Sequence, residues 1–583
     1  MMLNMLPFFP PSFLLILGGL AIFFLPRVLV KAVVLLLPLV VLFQVWHIPQ
    51  AADTDLGVLT LAGFRLYILH IHPYTHIFAT VFTIAAFAGG LFSLNQGNPK
   101  ETAAAFVYAG SAVGVTFAGD FATMFIYWEI MAIASVIVLL FGGTERANKA
   151  AIRYGAMHFL GGVLLMAGIL AQQLLYQNDL SIVPLTVNAE TFDALLQGSV
   201  VGIAPWCIFL GVLVNAAAPP FSAWLPDSYP EASPFGSVYL SAFTTKTAVF
   251  VLITMFAGNG ILVYIGLFMA VYGIIYAMLE NDMRRILAYS IINQVGFMIT
   301  GAGIGTTMAL NGAATHAFCH IIYKALLMMS AGSVLYMTGK RKCTELGGLY
   351  HTMKWTMWSG IVGAMSISAF PWTSGFVSKS MISDAAATQH LPWVWGILTM
   401  ASAGVFLHAG IKFPWFVFFN RESGLRPKEA PWNMRLAMGL LVILCLVPGL
   451  FPNWLYAMLP EDPGYVPYTG AHVVTQLQLL LFSGLAFFLM LPMLKRTDTI
   501  SLDFDWGYRV FILNILLLLD KLAETLRRVL FYPVWVLVVY IVNSVSHVHG
   551  PEGVMARNWS IGTTVLWILL MLGASLFIYY SFF

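Results

Sequence analysis

Apolar runs of about 20 residues recur along almost the whole chain, and each is long enough to cross the roughly 30 Å hydrocarbon core of a bilayer. Only 9% of the 583 residues are charged, whereas soluble proteins carry about 25%. No stretch therefore has the polar surface of a soluble domain. We predict an all-α polytopic membrane protein with spans near 12–25, 28–46, 75–95, 101–117, 121–141, 152–175, 199–218, 235–257, 260–279, 286–304, 308–336, 355–378, 393–420, 434–451, 473–493 and 561–582, and an ambiguous stretch at 507–547.

The basic residues fall in alternate loops, as expected of loops that stay on the cytoplasmic side. They include Arg27, Lys31, Lys100, Arg146, Lys149, Arg153, Arg284, Arg285, Lys340, Arg341, Lys342, Arg421, Arg426 and Lys428. This distribution predicts an N-terminus outside, about fourteen core helices and extra C-terminal helices. A short extracellular hairpin is predicted at 55–72. The charged, leucine-rich stretch 507–531 suits a helix at the membrane interface.

Several function classes are excluded or weakly supported. The net charge is only +3 and the basic residues do not cluster with aromatic residues, so nucleic-acid binding is not expected. No phosphate-binding loop, CxxC pair or nucleophile triad is present, so we predict neither an enzyme nor a bound cofactor. A metal site is a weak alternative for two histidine groups, because neither group has a Cys or carboxylate to complete the ligands. The groups are His70, His72 and His76, and His547 and His549.

Ionisable residues inside predicted spans are functional candidates, because a charge near the bilayer centre is costly. Five stand out: Glu129, Lys246, Lys324, Lys379 and Lys412. The alternative for any one of them is a side chain that reaches the interface or forms a structural ion pair.

A row of titratable groups is predicted in the eleventh span. His316, His320 and Lys324 are spaced four apart, which places them on one helical face with successive groups about 6 Å apart. Because histidine titrates near neutrality, such a row suits proton transfer. The alternative is a polar seam that joins helices by hydrogen bonds.

Two predicted spans are interrupted by proline at related places. Pro220 ends the seventh span, and Pro371 and Gly375 break the twelfth about 150 residues later. Paired interruptions of this kind are typical of inverted-repeat transporters, although ordinary prolines at loop boundaries would give the same pattern. We predict four sections: 1–100 with the N-terminal helices and hairpin, a first five-helix repeat at 101–257, a second at 260–420, and C-terminal helices at 434–583.

Four segments of the chain are similar to the antiporter-like subunits of respiratory complex I and of multisubunit Na⁺/H⁺ (Mrp-type) antiporters. They are residues 220–230 (PFSAWLPDSYP), 281–290 (NDMRRILAYS), 320–324 (HIIYK) and 374–379 (SGFVSK). WLPDSYP and the tail SLDFDWGYR at 501–509 most resemble the D-type subunit of the antiporters. The resemblance covers about residues 75–450.

The resemblance implies two inverted five-helix repeats and a hydrated central axis along which protons move. Glu129 matches the family's glutamate on the fifth helix, Lys246 its lysine on the eighth and Lys379 its lysine on the twelfth, while His320 and Lys324 match the connecting residues. One position departs from the pattern. Where the family has a lysine on the seventh helix, this chain has Asn215, whose amide can bond to Glu129 but cannot carry a proton.

The leading hypothesis is a proton-translocating subunit of a monovalent cation/proton antiporter in the bacterial cytoplasmic membrane, with Na⁺ as the first cation to consider. Its partners would be protons, the cation, lipid and other membrane subunits. Two alternatives stay open. One is the proton-pumping arm of a redox complex, linked to quinone reduction or hydrogenase. The other is a partner-dependent scaffold for ion uptake in which Asn215 marks a silenced pump.

Overall fold

The computed structural model describes residues 9–51, 53–61, 63–176, 179–494, 503–556 and 559–582. Of the tail motif at 501–509, Ser501 and Leu502 lie outside these ranges. The described part is helical almost throughout and has one two-stranded sheet. In chain order the elements are α1 (Pro11–Ile22), α2 (Arg27–His47), β1 (Thr54–Leu61), β2 (Phe64–Ile71), α3 (Thr75–Ser93), α4 (Pro99–Thr116), α5 (Phe121–Leu140), α6 (Glu145–Leu175), α7 (Ala189–Leu196), α8 (Val200–Asn215), α9 (Trp224–Ser228), α10 (Gly236–Ala242), α11 (Thr244–Met255), α12 (Ile261–Leu279), α13 (Met283–Ile304), α14 (Thr307–Thr338), α15 (Lys354–Ile367), α16 (Ser374–Thr388), α17 (Pro392–Val405), α18 (Trp432–Leu450), α19 (Pro452–Tyr456), α20 (Gly470–Leu489), α21 (Leu513–His549) and α22 (Ile561–Phe582).

The predicted membrane fold is confirmed. Among the described residues, 13 helices are long and apolar enough to cross a bilayer, or up to 14 when α7 and α8, which are bent by 109°, count as one span. In this count α10 and α11 form one span, and α17 continues through a π-helical stretch to Phe419. Helices α13 and α14 are almost wholly buried, so the centre of the fold consists of membrane helices rather than loops.

Two breaks occur at related positions in the two predicted repeats. Helix α8 ends at Asn215 and the chain turns at Ala217, whose φ is 58°. Helix α15 ends at Ile367 and the chain turns at Ala369, whose φ is 56°. Residues other than glycine rarely adopt these left-handed values. Pro220 and Pro371 follow the turns, and proline cannot continue a helix because it lacks the N–H donor.

Gly375 lets the second broken helix pack closely. A Cβ atom at this position would lie 1.8 Å from the carbonyl oxygen of Ser366. Only glycine therefore allows the start of α16 to lie against the end of α15, and this contact brings the two halves of the break together.

An ionic network joins the loops at one end of the helices. Arg153 and Arg285 approach Asp227 at 3.6 and 3.4 Å, and Arg341 bridges Glu231 at 2.8 Å and Asp282 at 2.9 Å. Arg153, Arg285 and Arg341 come from distant parts of the sequence, and they are among the basic residues from which the cytoplasmic side is predicted. The structure brings these three arginines together, and the assignment of this end to the cytoplasmic side stays a prediction.

The hairpin predicted at 55–72 is present. Strands β1 and β2 pair in antiparallel order, with Thr54 opposite Ile71 and Leu61 opposite Phe64. The α4–α5 connection bonds to the hairpin at two points, where His70 N donates to Phe117 O at 2.8 Å and Gly119 N donates to Tyr67 O at 2.9 Å. The hairpin therefore covers one end of the first predicted repeat.

The chain forms two compact units, residues 1–504 and 505–583. In the second unit, a π-helical turn at Gly507–Ile512 runs into α21. Together they form a continuous helix of 43 residues, about 65 Å long at 1.5 Å per residue. This length is about twice the hydrocarbon thickness, and the interfacial position of 507–531 stays a prediction. The four-section division stays a prediction.

Candidate functional site

Three lysines lie in the interior of the first unit, at 0 to 2% exposure. Lys246 Nζ donates to Ser241 O at 2.6 Å, across the interruption between α10 and α11. Lys379 Nζ donates to Ile367 O at 2.8 Å, at the end of the broken α15. Two of the three lysines are thus held by a carbonyl at a helix break, where backbone acceptors are less fully used.

Lys324 is held by side-chain and backbone oxygens of α13. Its Nζ donates to Ser290 Oγ at 3.0 Å and to Leu287 O at 3.3 Å. Among the described residues, no carboxylate forms a salt bridge with Lys246, Lys324 or Lys379. Burying lysine without a counter-ion costs several kcal/mol, so structural stability alone does not account for these residues.

His316 joins three helices. Its Nε2 lies 3.1 Å from Gln294 Oε1 on α13, and its Nδ1 lies 3.0 Å from Ser378 Oγ on α16. Gln294 Oε1 also accepts from Tyr323 OH at 3.0 Å, and Ser378 Oγ lies 3.1 Å from Ser374 O. A neutral ring satisfies both contacts when Nε2 donates to Gln294 Oε1 and Nδ1 accepts from the Ser378 hydroxyl.

The neighbouring histidine, His320, is wholly buried, with its ring centroid 6.4 Å from that of His316. Neither of its nitrogens has a hydrogen-bond partner among the described residues. Buried polar atoms are normally bonded, and an ordered water is a common partner where the protein supplies none. His320 lies between His316 and Lys324 along α14, so the row predicted from the sequence lies along the buried interior.

Lys379 borders a cavity of about 250 Å³ between α16, α17 and α20. Its ammonium also lies 5.0 Å from the centroid of the Phe297 ring. The cavity extends from Lys379 to Asp384 near the end of α16, away from the ionic end of the helices. Its lining mixes apolar side chains with polar ones, and the polar ones include Ser380, Ser383, Thr399, His472, Thr475 and Gln476. Such a cavity can hold water, since polar partners are available on several sides.

Glu129 and Asn215 are not brought together. Glu129 is half-buried, and its Oε1 atom has no partner among the described residues. The Asn215 amide oxygen is bonded instead to His158 Nδ1, at 2.7 Å. The expected bond from the Asn215 amide nitrogen to Glu129 is absent, and Asn215 Nδ2 has no hydrogen-bond partner among the described residues.

Two buried histidines were missed by sequence reasoning. His158 lies within the predicted span 152–175, and His408 lies in the π-helical stretch that continues α17. His408 Nδ1 is 2.8 Å from Gly404 O. Both were detectable as ionisable residues at membrane depth, but neither belongs to a repeated spacing or a family motif.

Lys412, which also stood out in the sequence, occupies a different setting. Its Nζ donates to the carbonyls of Ala277, Met278 and Glu280 at 3.0, 2.6 and 2.6 Å. These carbonyls lie at the end of α12, where a cation is favoured by the unpaired acceptors and the helix dipole. Lys412 therefore stabilises a helix end.

Outside the spans, the histidines near the hairpin have structural contacts. His70 Nδ1 lies 2.7 Å from Asp55 Oδ1, and His72 Nε2 lies 2.8 Å from Ala118 O. Burial is the main cause that lowers the pKa of His72 from 6.5 to about 4, so the ring is neutral at pH 7. Among the described residues, no group of three His, Cys, Asp or Glu side chains is arranged to hold a metal ion.

Broken membrane helices and buried lysines in the membrane interior are typical of membrane transport proteins. The sequence model described as "NADH:quinone oxidoreductase/Mrp antiporter, TM" matches residues 118–405. The chain belongs to this family of antiporter-like membrane subunits.

The relatives come from more than one branch of the family. The chain is 28% identical over 353 residues to the D-type subunit of the Na⁺/H⁺ antiporter of Alkalihalophilus pseudofirmus, and the match covers 59% of this chain and 69% of the relative. It is 25% identical over 387 residues to hydrogenase-4 component B of Escherichia coli, where the match covers 60% and 56%. The resemblance predicted from the sequence motifs is thus confirmed at the level of the family.

A solved structure supports the same fold. A chain of the membrane-bound sulfane sulfur reductase, an archaeal respiratory membrane complex, superimposes with a TM-score of 0.69 at 22% identity. The match covers 97% of this chain and 99% of the other. At this identity the comparison establishes the fold, including the C-terminal part that the family model does not reach.

Proposed function

We propose that the chain is a proton-translocating subunit of a multisubunit monovalent cation/proton antiporter, with Na⁺ as the cation to test first. The observation that carries this proposal is the row of buried lysines and histidines without carboxylate partners. The row comprises Lys246, Lys324, His320, His316 and Lys379. In it, protons pass between histidines and lysines through hydroxyl groups and water, and Glu129 sets the charge near the first repeat. The similarity to the D-type subunit of an antiporter supports this choice of system.

The direction of the route follows from the cavity beside Lys379. By the charge rule the ionic end of the helices would lie in the cytoplasm, and the cavity would then lie toward the outer surface. Lys379 would then exchange protons with the outer side, while the histidines of α14 pass them along the interior. The membrane would be the bacterial cytoplasmic membrane, and neighbouring membrane subunits would complete the cation route.

The test is transport by the complete complex in proteoliposomes, with internal pH and Na⁺ followed together. An imposed Na⁺ gradient should drive proton flux, and Lys379→Ala should abolish it. Lys412→Ala is the matched control, since it removes a buried lysine that lies outside the proposed row. Loss of flux in both variants, with intact assembly, would contradict a specific role for Lys379.

A second candidate is the proton-pumping arm of a redox complex, favoured by the similarity to hydrogenase-4 component B. The two candidates differ in what drives the flux. An antiporter moves protons in response to a cation gradient alone, whereas a redox arm requires electron transfer by partner subunits. Flux that appears only when an electron donor and acceptor are supplied would select the redox arm.

A further inference from the structure

The centre of the first repeat contains a histidine that the proposed row does not use. His158 is 1% exposed on α6 and lies about 20 Å along the helix from Glu145, at 1.5 Å per residue. It is thus deep within a membrane helix. Its Nδ1 atom is 2.7 Å from Oδ1 of Asn215, the last residue of the broken α8.

Two aromatic side chains hold the His158 ring in place. The ring centroid lies 4.0 Å from that of Tyr154 and 4.6 Å from that of Trp224. Tyr154 OH donates to Ser135 Oγ at 3.0 Å and lies 3.4 Å from Thr244 Oγ1. Because Thr244 precedes Lys246 by two residues on α11, this polar cluster extends from His158 toward the lysine helix.

In the structure the amide oxygen of Asn215 faces Nδ1 of His158. An amide oxygen only accepts hydrogen bonds, so Nδ1 is the donor and the lone pair of the neutral ring is on Nε2. Nε2 is buried and has no hydrogen-bond partner among the described residues. It can therefore accept a proton while the bond to Asn215 stays in place.

The surroundings contain few competing charges. The titratable groups on the elements that pack against α6 are Tyr127 and Glu129 on α5, Cys207 on α8, Asp227 on α9, and Tyr229 and Glu231 on the turn that follows α9. Asp227 is engaged by Arg153 and Arg285, and Glu231 by Arg341. Asn215, in direct contact with His158, stands where the family pattern has a lysine, and it cannot titrate.

We propose that His158 is the proton-carrying group of the first repeat and that Asn215 is its positioning residue. A proton adds to Nε2 to give the imidazolium, and its departure restores the neutral ring without any other bond changing. The pair would thus replace a lysine by a histidine held on the neighbouring helix. This inference rests on the proposed function, because it assumes that the chain moves protons.

The first test is His158→Gln in the complete complex, measured as proton flux in proteoliposomes. Glutamine can donate to Asn215 but does not titrate, so flux should fall at least tenfold while assembly is kept. The matched control is His76→Gln, which replaces a buried histidine of α3 that lies outside this cluster. Adding Asn215→Lys to His158→Gln should restore flux, because it returns a proton carrier to the same place.

The second test separates a proton carrier from a structural residue. Asn215→Asp places an acceptor with negative charge on Nδ1, which favours the imidazolium. The pH of half-maximal flux should then rise by about one unit or more. A purely structural His158 would leave this midpoint unchanged, and this result would overturn the proposal even if His158→Gln failed to assemble.

The outcomes also separate this inference from the proposed function. Normal flux in assembled His158→Gln, with flux still lost in Lys379→Ala, would overturn only the role of His158. Absence of proton flux in the wild-type complex under both a cation gradient and redox turnover would overturn both proposals.

Discussion

The two repeats have broken helices at related places, but they differ in whether the polar residues at the break border a cavity. In the second repeat, Lys379 borders a cavity of about 250 Å³, partly lined by polar side chains, that leads toward Asp384. In the first, His158 and Asn215 are enclosed by Tyr154 and Trp224, and all four side chains are buried. Similar breaks in the backbone therefore do not determine whether water can reach the polar residues. That depends on the side chains packed around each break.

The ends of the repeats show the same contrast. The β1–β2 hairpin pairs with the α4–α5 connection and covers one end of the first repeat. The cavity of the second repeat is lined by serine, threonine and glutamine side chains, which provide partners for water. We infer that the second repeat exchanges protons with the outer side more readily than the first. Four predictions test this comparison.

Gly375→Ala should have the largest effect, a loss of stability, because it adds an atom at the helix break of the second repeat. The added Cβ would lie 1.8 Å from Ser366 O, a backbone atom that cannot rotate away. Overpacking of this kind costs about 3 kcal/mol, so thermal unfolding in detergent should occur at a clearly lower temperature. The matched control is Gly162→Ala in the first repeat, where the nearest atom is Glu129 Oε1 at 2.2 Å. A half-buried flexible side chain can move, so the control should be mild; equal losses would contradict the prediction.

Acid should loosen the hairpin over the first repeat. The pKa of His72 is about 4 in the folded state against 6.5 for an exposed histidine, so the opened state binds the proton first as the pH falls. The stability of the closed hairpin is thus complete above pH 6.5 and decreases between about pH 6.5 and 4. From pH 7 to 5 the loss is about 2 kcal/mol, or roughly a 20-fold increase in opening.

Amide hydrogen exchange over residues 64–71 would measure this opening, after correction for the intrinsic pH dependence of exchange. His72→Gln is the control, because its amide can still donate to Ala118 O but does not titrate. Exchange that responds to pH equally in the variant would rule out His72 as the cause.

The sequence predicted the membrane fold, the broken helices and the hairpin, because each depends on local chemistry. Apolar length defines a span, proline ends a helix, and alternation of charged loops defines topology. Asn215 was also marked, through its departure from a family pattern. Its partner was not predictable, because His158 is 57 residues away and the pairing depends on how α6 packs against α8.

The cavity beside Lys379 could not be predicted from the sequence either. Its lining combines residues of α16 and α17 with His472, Thr475 and Gln476 of α20, and no spacing relates these helices. The predicted row on α14, by contrast, lies along a single helix, where a spacing of four fixes the face. Sequence reasoning therefore predicted the helices themselves but not how they pack against one another.

Filling the cavity tests whether protons reach Lys379 of the second repeat through it. Ser383→Phe places a ring in the polar space beside Lys379, so proton flux should fall about tenfold, or by about 1.4 kcal/mol in the barrier. The control is Leu485→Phe, which enlarges a side chain in the apolar groove lined by α20 and the π-helical stretch. Unchanged flux in assembled Ser383→Phe would place the route to the outer surface elsewhere.

Glu129→Gln should have the smallest effect on the folded protein. Glu129 is half-buried and its Oε1 atom has no partner among the described residues, so the substitution breaks no bond and keeps the shape. We expect the free energy of unfolding of the purified subunit to change by less than about 0.5 kcal/mol. Asn215→Leu is the informative contrast, because it leaves buried His158 Nδ1 without its acceptor and should cost about 1–3 kcal/mol. A loss of that size in Glu129→Gln would instead show that Glu129, and not the His158–Asn215 pair, holds the centre of the first repeat together.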